Sequence, residues 1–139
     1  MNRIVLAGSV LLATACAAST PYQPLSYKGG FSDTQLEKSV FEVRFAGNET
    51  TTPARATDLA LLRSAEVALE HGYNYFIIAE QQAGASNQTA ATGLASTKAA
   101  SPSVVNRIVC YQERPEAAGA VYDARFVRLS IRRKYELGP

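Results

Sequence analysis

The stretch that most constrains the fold is an amphipathic helix with strand-like segments on both sides. Thr52 supplies an N-cap hydroxyl, and Pro53 takes the first helical position, where its missing N–H costs nothing. Apolar residues then recur along one stripe: Leu61, Leu62, Ala65, Ala68 and Leu69. His71 and Gly72 close the helix, because glycine readily adopts the left-handed cap conformation. A chain containing this helix must bury the stripe against a second layer.

Strand patterns precede and follow the helix. In residues 40–45, Phe41, Val43 and Phe45 point to one side, which predicts a half-buried strand. Residues 75–80 are largely apolar on both faces, which predicts a central strand. Short connections join strand, helix and strand, so we expect a right-handed crossover between two parallel strands.

The third strand is expected over residues 104–112, which are rich in Val, Ile, Cys and Tyr, and it should pair antiparallel with the second. Residues 122–138 fit both a strand and a helix. Asp123 as a cap and basic residues in the last turn favour the helix. The predicted fold class is α+β: a small three-stranded mixed sheet packed on one main helix (β-α-β-β), with a C-terminal helix or, alternatively, a fourth strand.

The chain length suits one domain. Residues 37–139 are predicted to form it. Residues 83–103 are built mostly from Ala, Ser, Thr, Gly, Asn and Gln, and are expected to be a flexible insertion. Residues 16–36 contain two prolines and a Gly-Gly pair, which predicts a tether leading into an irregular entry segment.

The first 15 residues have the order of parts of a secretory signal peptide. Arg3 precedes an apolar run over residues 4–12, and small residues then lead directly to Cys16. Small residues followed by cysteine resemble the lipobox of bacterial lipoproteins. That resemblance implies cleavage between Ala15 and Cys16 and acylation of Cys16. Because Ala17 rather than Asp follows, it also implies an anchor in the outer membrane, on the periplasmic face.

A second interpretation stays open, because Ala13-Thr14-Ala15 is also a small-x-small site for ordinary signal peptidase. The mature protein is then an unlipidated periplasmic or secreted thiol protein that begins at Cys16. Cys110 is the only other cysteine, and export favours disulfides. This alternative predicts a Cys16–Cys110 disulfide.

Four stretches in the first part of the domain resemble a family of small, uncharacterised lipoproteins of Gram-negative bacteria. They are YKGGFSDTQL at residues 27–36, FAGN at 45–48, ALLRSAE at 60–66 and GYNYF at 72–76. The resemblance implies an exported, lipid-anchored α+β domain without an assigned activity. It supplies no catalytic residue.

No constellation of catalytic or metal-binding residues is found in the sequence. His71 is the only histidine, which excludes a two-histidine metal site and a Ser/His relay with a spare imidazole. Glu66 and Glu70 are one helical turn apart, and we expect them on a solvated face together with Arg63. The sequence therefore predicts a non-enzymatic binding or structural module without a cofactor or a metal.

Charge gives limited information about partners. The 14 basic and 12 acidic residues nearly balance, so no nucleic-acid partner is expected. On a C-terminal helix, Arg125, Arg128 and Arg132 would form a basic stripe able to contact anionic lipid or cell-wall groups. Membrane lipid, reached through acylated Cys16, is the one specific partner predicted; the envelope partner and the oligomeric state stay open.

Overall fold

The computed structural model describes residues 18–87, 100–117 and 119–139. The predicted signal peptide (residues 1–15) and Cys16 lie outside the described residues. These described residues form seven elements in chain order: β1 (Gly30–Glu37), β2 (Val40–Ala46), α1 (Pro53–Glu70), β3 (Tyr75–Asn87), β4 (Ala100–Tyr111), β5 (Tyr122–Asp123) and α2 (Ala124–Lys134).

The strands form one five-stranded sheet in the order β1-β2-β4-β3-β5, in which every neighbouring pair is antiparallel. The prediction of a three-stranded mixed sheet on one main helix is therefore wrong. β4 pairs with both β2 and β3, since Val109 lies opposite Val40 on one side and Ile77 on the other. β2 and β3 consequently run in the same direction without being neighbours, because β4 lies between them and pairs antiparallel with both.

Two segments with no strand pattern of their own become strands by pairing. β1 lies in the region predicted as an irregular entry and pairs with β2 along its length. Residues 83–87 and 100–103 continue β3 and β4 into the predicted insertion, with Gly84 opposite Ser103. The middle of that insertion, residues 88–99, lies outside the described residues.

Hydrogen bonds between residues close in sequence define both ends of α1 and the start of α2. The Thr52 hydroxyl accepts a hydrogen bond from the Arg55 N–H, as the N-cap pattern predicts. At the other end Gly72 has a φ of +83°, and the Tyr73 N–H donates to the Ala68 carbonyl, which completes a Schellman cap. Residues 124–134 form the helix α2, not a strand, and the Asp123 side chain accepts from the N–H of Phe126.

The core lies between α1 and one face of the sheet. The sheet contributes Phe41, Val43, Phe45, Phe76, Val104, Asn106, Ile108 and Cys110, each at most 3% exposed. Burying each phenylalanine contributes about 1.5–3 kcal/mol. Asn106 is the polar exception: its amide donates to the Ser64 hydroxyl at 3.3 Å and accepts from the Gln81 amide at 2.9 Å. α2 packs against α1 and β5 rather than against the central strands.

The two ends of the sheet carry different parts of the chain. At one end, the Ala46 end, Ala46 pairs with Ser103 and α1 begins. At the other, the Tyr111 end, Tyr111 pairs with Tyr75, and Tyr75 with Asp123, where α2 begins. No helix in the described part of the chain combines the length and hydropathy needed to cross a bilayer.

Candidate functional site

The most densely connected charged group surrounds Glu66 on α1. We call it the Glu66 cluster: Tyr22, Asp33, Arg63, Glu66, Glu70 and Arg132. The Arg132 guanidinium donates to Glu66 Oε1 from Nη2 at 2.6 Å and from Nε at 3.0 Å. The hydroxyl of Tyr22 donates to the other carboxylate oxygen of Glu66. One helical carboxylate therefore joins the N-terminal segment to α2.

Arg63 extends the cluster to the edge strand β1. Its Nε donates to Asp33 Oδ1 at 2.7 Å, and its Nη1 and Nη2 donate to Glu70 at 2.9 and 3.2 Å. The guanidinium also lies over the ring of Phe31, 4.6 Å from its centroid. The side chains of Arg63 and Glu66 are only 12% and 10% exposed. The expectation of a solvated face at these two positions is wrong, because Tyr22, Phe31 and Arg132 cover them.

The protonation states in the cluster follow from these contacts. Burial, followed by the hydrogen bond to Glu66, raises the pKa of Tyr22 well above its ordinary value, so the phenol stays protonated and donates. Burial lowers the pKa of Arg63, but the hydrogen bonds with Asp33 and Glu70 outweigh it, and the net pKa is raised. The protonated phenol therefore donates to Glu66 and fastens the N-terminal segment to α1.

A smaller group fastens the end of α2. Asp58 Oδ2 accepts from Lys134 Nζ at 2.6 Å and from the Tyr135 hydroxyl at 2.7 Å. Arg55 lies over the ring of Tyr135, 4.6 Å from its centroid. Burial and the hydrogen bond to Asp58 raise the pKa of Tyr135. α2 is therefore held on α1 by polar contacts at two places, at Glu66 and at Asp58.

The chain is fixed to the domain from its first described residues. The Ala18 carbonyl accepts from the Asn48 side-chain amide at 3.0 Å. Thr20 is fully buried, and its N–H donates to the Thr51 hydroxyl at 3.0 Å. Gly29 allows this packing, because a Cβ there would overlap the Ala46 carbonyl and the Thr20 side chain. The N-terminal segment thus reaches the Ala46 end of the sheet.

The structure separates the three predicted basic contact residues. Arg125 and Arg128 are exposed on α2, beside Phe126 and Leu129, which are 70% and 64% exposed. Arg132 instead points inward to Glu66 and also donates to the carbonyls of the C-terminal residues. The outer face of α2 therefore combines two arginines with two apolar side chains.

The remaining candidate residues lie within the fold. Cys110 is a free, buried thiol on the core face of β4, and burial raises its pKa to about 12. His71 is the C-cap residue of α1; its Nδ1 lies 2.9 Å from the Val67 carbonyl, and its ring packs on Phe41. Across the described ranges, no group of three or more His, Cys, Asp or Glu side chains is placed to hold a metal ion.

Two residues that form these partly or fully buried hydrogen bonds, Tyr22 and Asn106, were not predicted from the sequence. Tyr22 lies in a segment predicted as irregular, and Asn106 lies in an otherwise apolar strand. A polar residue at an inward position of a strand pattern was the one available signal for Asn106, since buried amides need partners. Nothing in the local sequence connects Tyr22 to Glu66.

Comparison with known proteins gave no match to a family model, a curated protein or a solved structure. The resemblance to small lipoproteins therefore stays a prediction.

Proposed function

We propose that the protein is a lipoprotein of the bacterial envelope, anchored in the outer membrane through acylated Cys16 and facing the periplasm. Its α+β domain acts as a non-enzymatic binding or structural module. Each buried methylene of an acyl chain contributes about 0.8 kcal/mol, so the two or three chains implied by the lipobox would hold the domain permanently.

The observation that carries this proposal is the packing of the chain from Ala18, two residues after Cys16. Ala18 is bound to Asn48 and Thr20 is buried, so the predicted tether is very short. Two extended residues span at most about 7 Å, so an anchor at Cys16 would lie close to the body of the domain. A short attachment of this kind suits a domain that is held at the membrane surface.

The position of Cys110 favours this proposal over the disulfide-bonded alternative. Ala18 lies at the Ala46 end of the sheet, whereas Cys110 pairs with Phe76 near the Tyr111 end. From Ser103 to Cys110 the strand covers about 23 Å at about 3.3 Å per residue. A disulfide needs a Cα separation of about 4.4–6.8 Å, which Cys16 would reach only if the packed segment came away.

The Glu66 cluster supports a structural role for the charged residues of the domain. Its acids and bases bind one another, and together they join the N-terminal segment, α1 and α2. The N-terminal segment is thus fastened to the body of the domain first at Asn48 and Thr51 and again, through Tyr22, at Glu66.

Intact-mass measurement of the exported protein, with flotation of envelope vesicles, tests the proposal. We expect a chain beginning at Cys16 with the added mass of diacylglycerol and a fatty acid, and flotation with the outer membrane. Cys16→Ser should abolish both, whereas Cys110→Ser, the matched control, should change neither. An unmodified Cys16 on protein that does not float would overturn the proposal.

A further inference from the structure

Next to the chain entry, a tight turn presents the most exposed large hydrophobic side chain in the described part of the domain. Tyr27 is 88% exposed and Leu25 is 52% exposed. The turn is rigid: Ser26 and Gly29 exchange backbone hydrogen bonds at 3.0 and 3.1 Å, and the Leu25 N–H donates to the Phe31 carbonyl at 2.8 Å. These side chains are therefore held outward by the backbone.

The turn and the entering chain belong to one surface. The Thr20 hydroxyl donates to the Lys28 carbonyl at 3.2 Å. The residues that line a cleft of about 540 Å³ include Ala18 and Ser19 of the entering chain and Tyr27 and Lys28 of the turn. Because Cys16 precedes Ala18 by two residues, an anchor there would lie within about 7 Å of Ala18, which lines the same cleft as Tyr27.

The chemistry of the turn suits the interface of a bilayer. Tyrosine places its ring at the level of the headgroups, and lysine buries its methylenes while its ammonium stays in water. Lys28 Nζ lies 5.5 Å from the centroid of the Tyr27 ring, so the two side chains extend together. Leucine adds apolar area that the domain leaves uncovered.

We propose that the turn formed by Leu25, Ser26, Tyr27 and Lys28 rests in the headgroup region of the membrane that holds Cys16. This inference depends on the anchor proposed above, and it fixes which end of the domain faces the lipid. The Ala46 end lies against the bilayer. Phe126 and Arg125, at the start of α2, lie at the Tyr111 end and face the periplasm.

Single tryptophans test this orientation, because the chain contains none. Tyr27→Trp and Phe126→Trp both replace exposed aromatic rings, so each variant should fold. The acylated proteins would be reconstituted into vesicles of phosphatidylethanolamine and phosphatidylglycerol, with or without bromine on the acyl chains near the headgroup. Flotation of the same vesicles measures the anchor independently of the fluorescence.

We expect the fluorescence intensity of the Tyr27→Trp variant to be about twofold lower in brominated than in unbrominated vesicles. Its emission maximum should lie to the blue of that of a ring in water, as for an interfacial ring. The Phe126→Trp variant should be unaffected. If both variants float and Tyr27→Trp is not quenched, the orientation is wrong although the anchor holds. Quenching of Phe126→Trp alone would show that α2 faces the lipid, and would also overturn it. Failure to float refutes the anchor, and the orientation with it.

Discussion

The sheet is stabilised very differently towards its two edges, which we call the β1 side and the β3 side. On the β1 side, the N-terminal segment, Phe31 and Asp33 are connected to α1 by ring contacts and ion pairs. On the β3 side, residues 79–85 are all exposed. Beyond Phe76, β3 has a paired neighbour on one side only among the described residues.

This difference indicates which contacts stabilise each side of the sheet. The β1 side has little sequence of its own that favours a strand, and it depends on long-range polar contacts. The β3 side depends on backbone pairing with β4 and buries few side chains after Ile78. Substitutions of the same chemical type should therefore cost much more on the β1 side.

The largest contrast is expected for a pair of glutamates. Glu66→Gln leaves Arg132 without its carboxylate partner, and we expect a loss of about 3–5 kcal/mol in the free energy of unfolding. Glu80→Gln removes an exposed ion pair, 3.8 Å from Arg107, and should cost at most about 0.5 kcal/mol. Urea unfolding measures both, and equal losses would contradict the comparison.

Two glycines give the next contrast. Gly29 has a φ of +90°, and a Cβ there would overlap the Ala46 carbonyl, so Gly29→Ala should cost about 2–3 kcal/mol. A Cβ at Gly84 on β3 meets nothing within 4 Å, and Gly84→Ala should be neutral or stabilise by about 0.5 kcal/mol. Thermal unfolding of both variants checks this, and a stable Gly29→Ala protein would show that the entry turn can move.

A pair of tyrosines adds a pH dependence. Tyr22→Phe removes a hydrogen bond to a carboxylate and should cost about 2 kcal/mol at pH 7, whereas Tyr27→Phe should cost nothing measurable. Above pH 10, the unfolded chain loses the Tyr22 proton and the folded protein keeps it, because the folded pKa is raised. Stability should then fall with rising pH by up to about 1.4 kcal/mol per unit.

The control for that slope is the Tyr22→Phe protein itself. Its unfolding free energy should decline less steeply between pH 10 and 11 than that of the unchanged protein, measured by urea titration. Cys110, with its pKa raised to about 12, contributes the same slope to both proteins and cancels. If the unfolding free energies of the two proteins declined equally with pH, the Tyr22 phenol would have the same pKa in the folded and unfolded states.

The smallest effect concerns local opening rather than global stability. β4 is paired on both sides, so its amides at Val105–Val109 should exchange with solvent only on global unfolding. Alternate amides of β3 after Glu80 point to the open edge and should exchange much faster. Hydrogen exchange followed by mass spectrometry tests this, and uniform protection along β3 would indicate that another segment covers its edge.

Local chemistry made several elements predictable. The ends of α1 were specified by Thr52, Pro53 and Gly72, and Asp123 marked the start of α2. The alternation of Phe41, Val43 and Phe45 correctly indicated the buried face of β2. Each of these signals acts within a few residues of the chain, which is why sequence alone was sufficient.

Long-range pairing was not predictable in the same way. Nothing in residues 104–111 indicates that β4 inserts between β2 and β3, and β1 lacks a sustained apolar alternation because most of its residues are exposed. On a helical wheel, the position of Glu66 predicts a surface charge. Glu66 is buried only because Tyr22 and Arg132 arrive from positions 44 and 66 residues away.

Among the described residues, one edge of β3 is unpaired after Phe76, and this has a practical consequence for handling the protein. An unpaired strand edge is a template on which a further strand can add, and this edge contains neither proline nor lysine. A bulge between Ile78 and Glu80 and the charge of Glu80 interrupt it only near its start. Concentrated preparations should consequently be prone to filament growth, and Gln82→Lys would be a simple remedy.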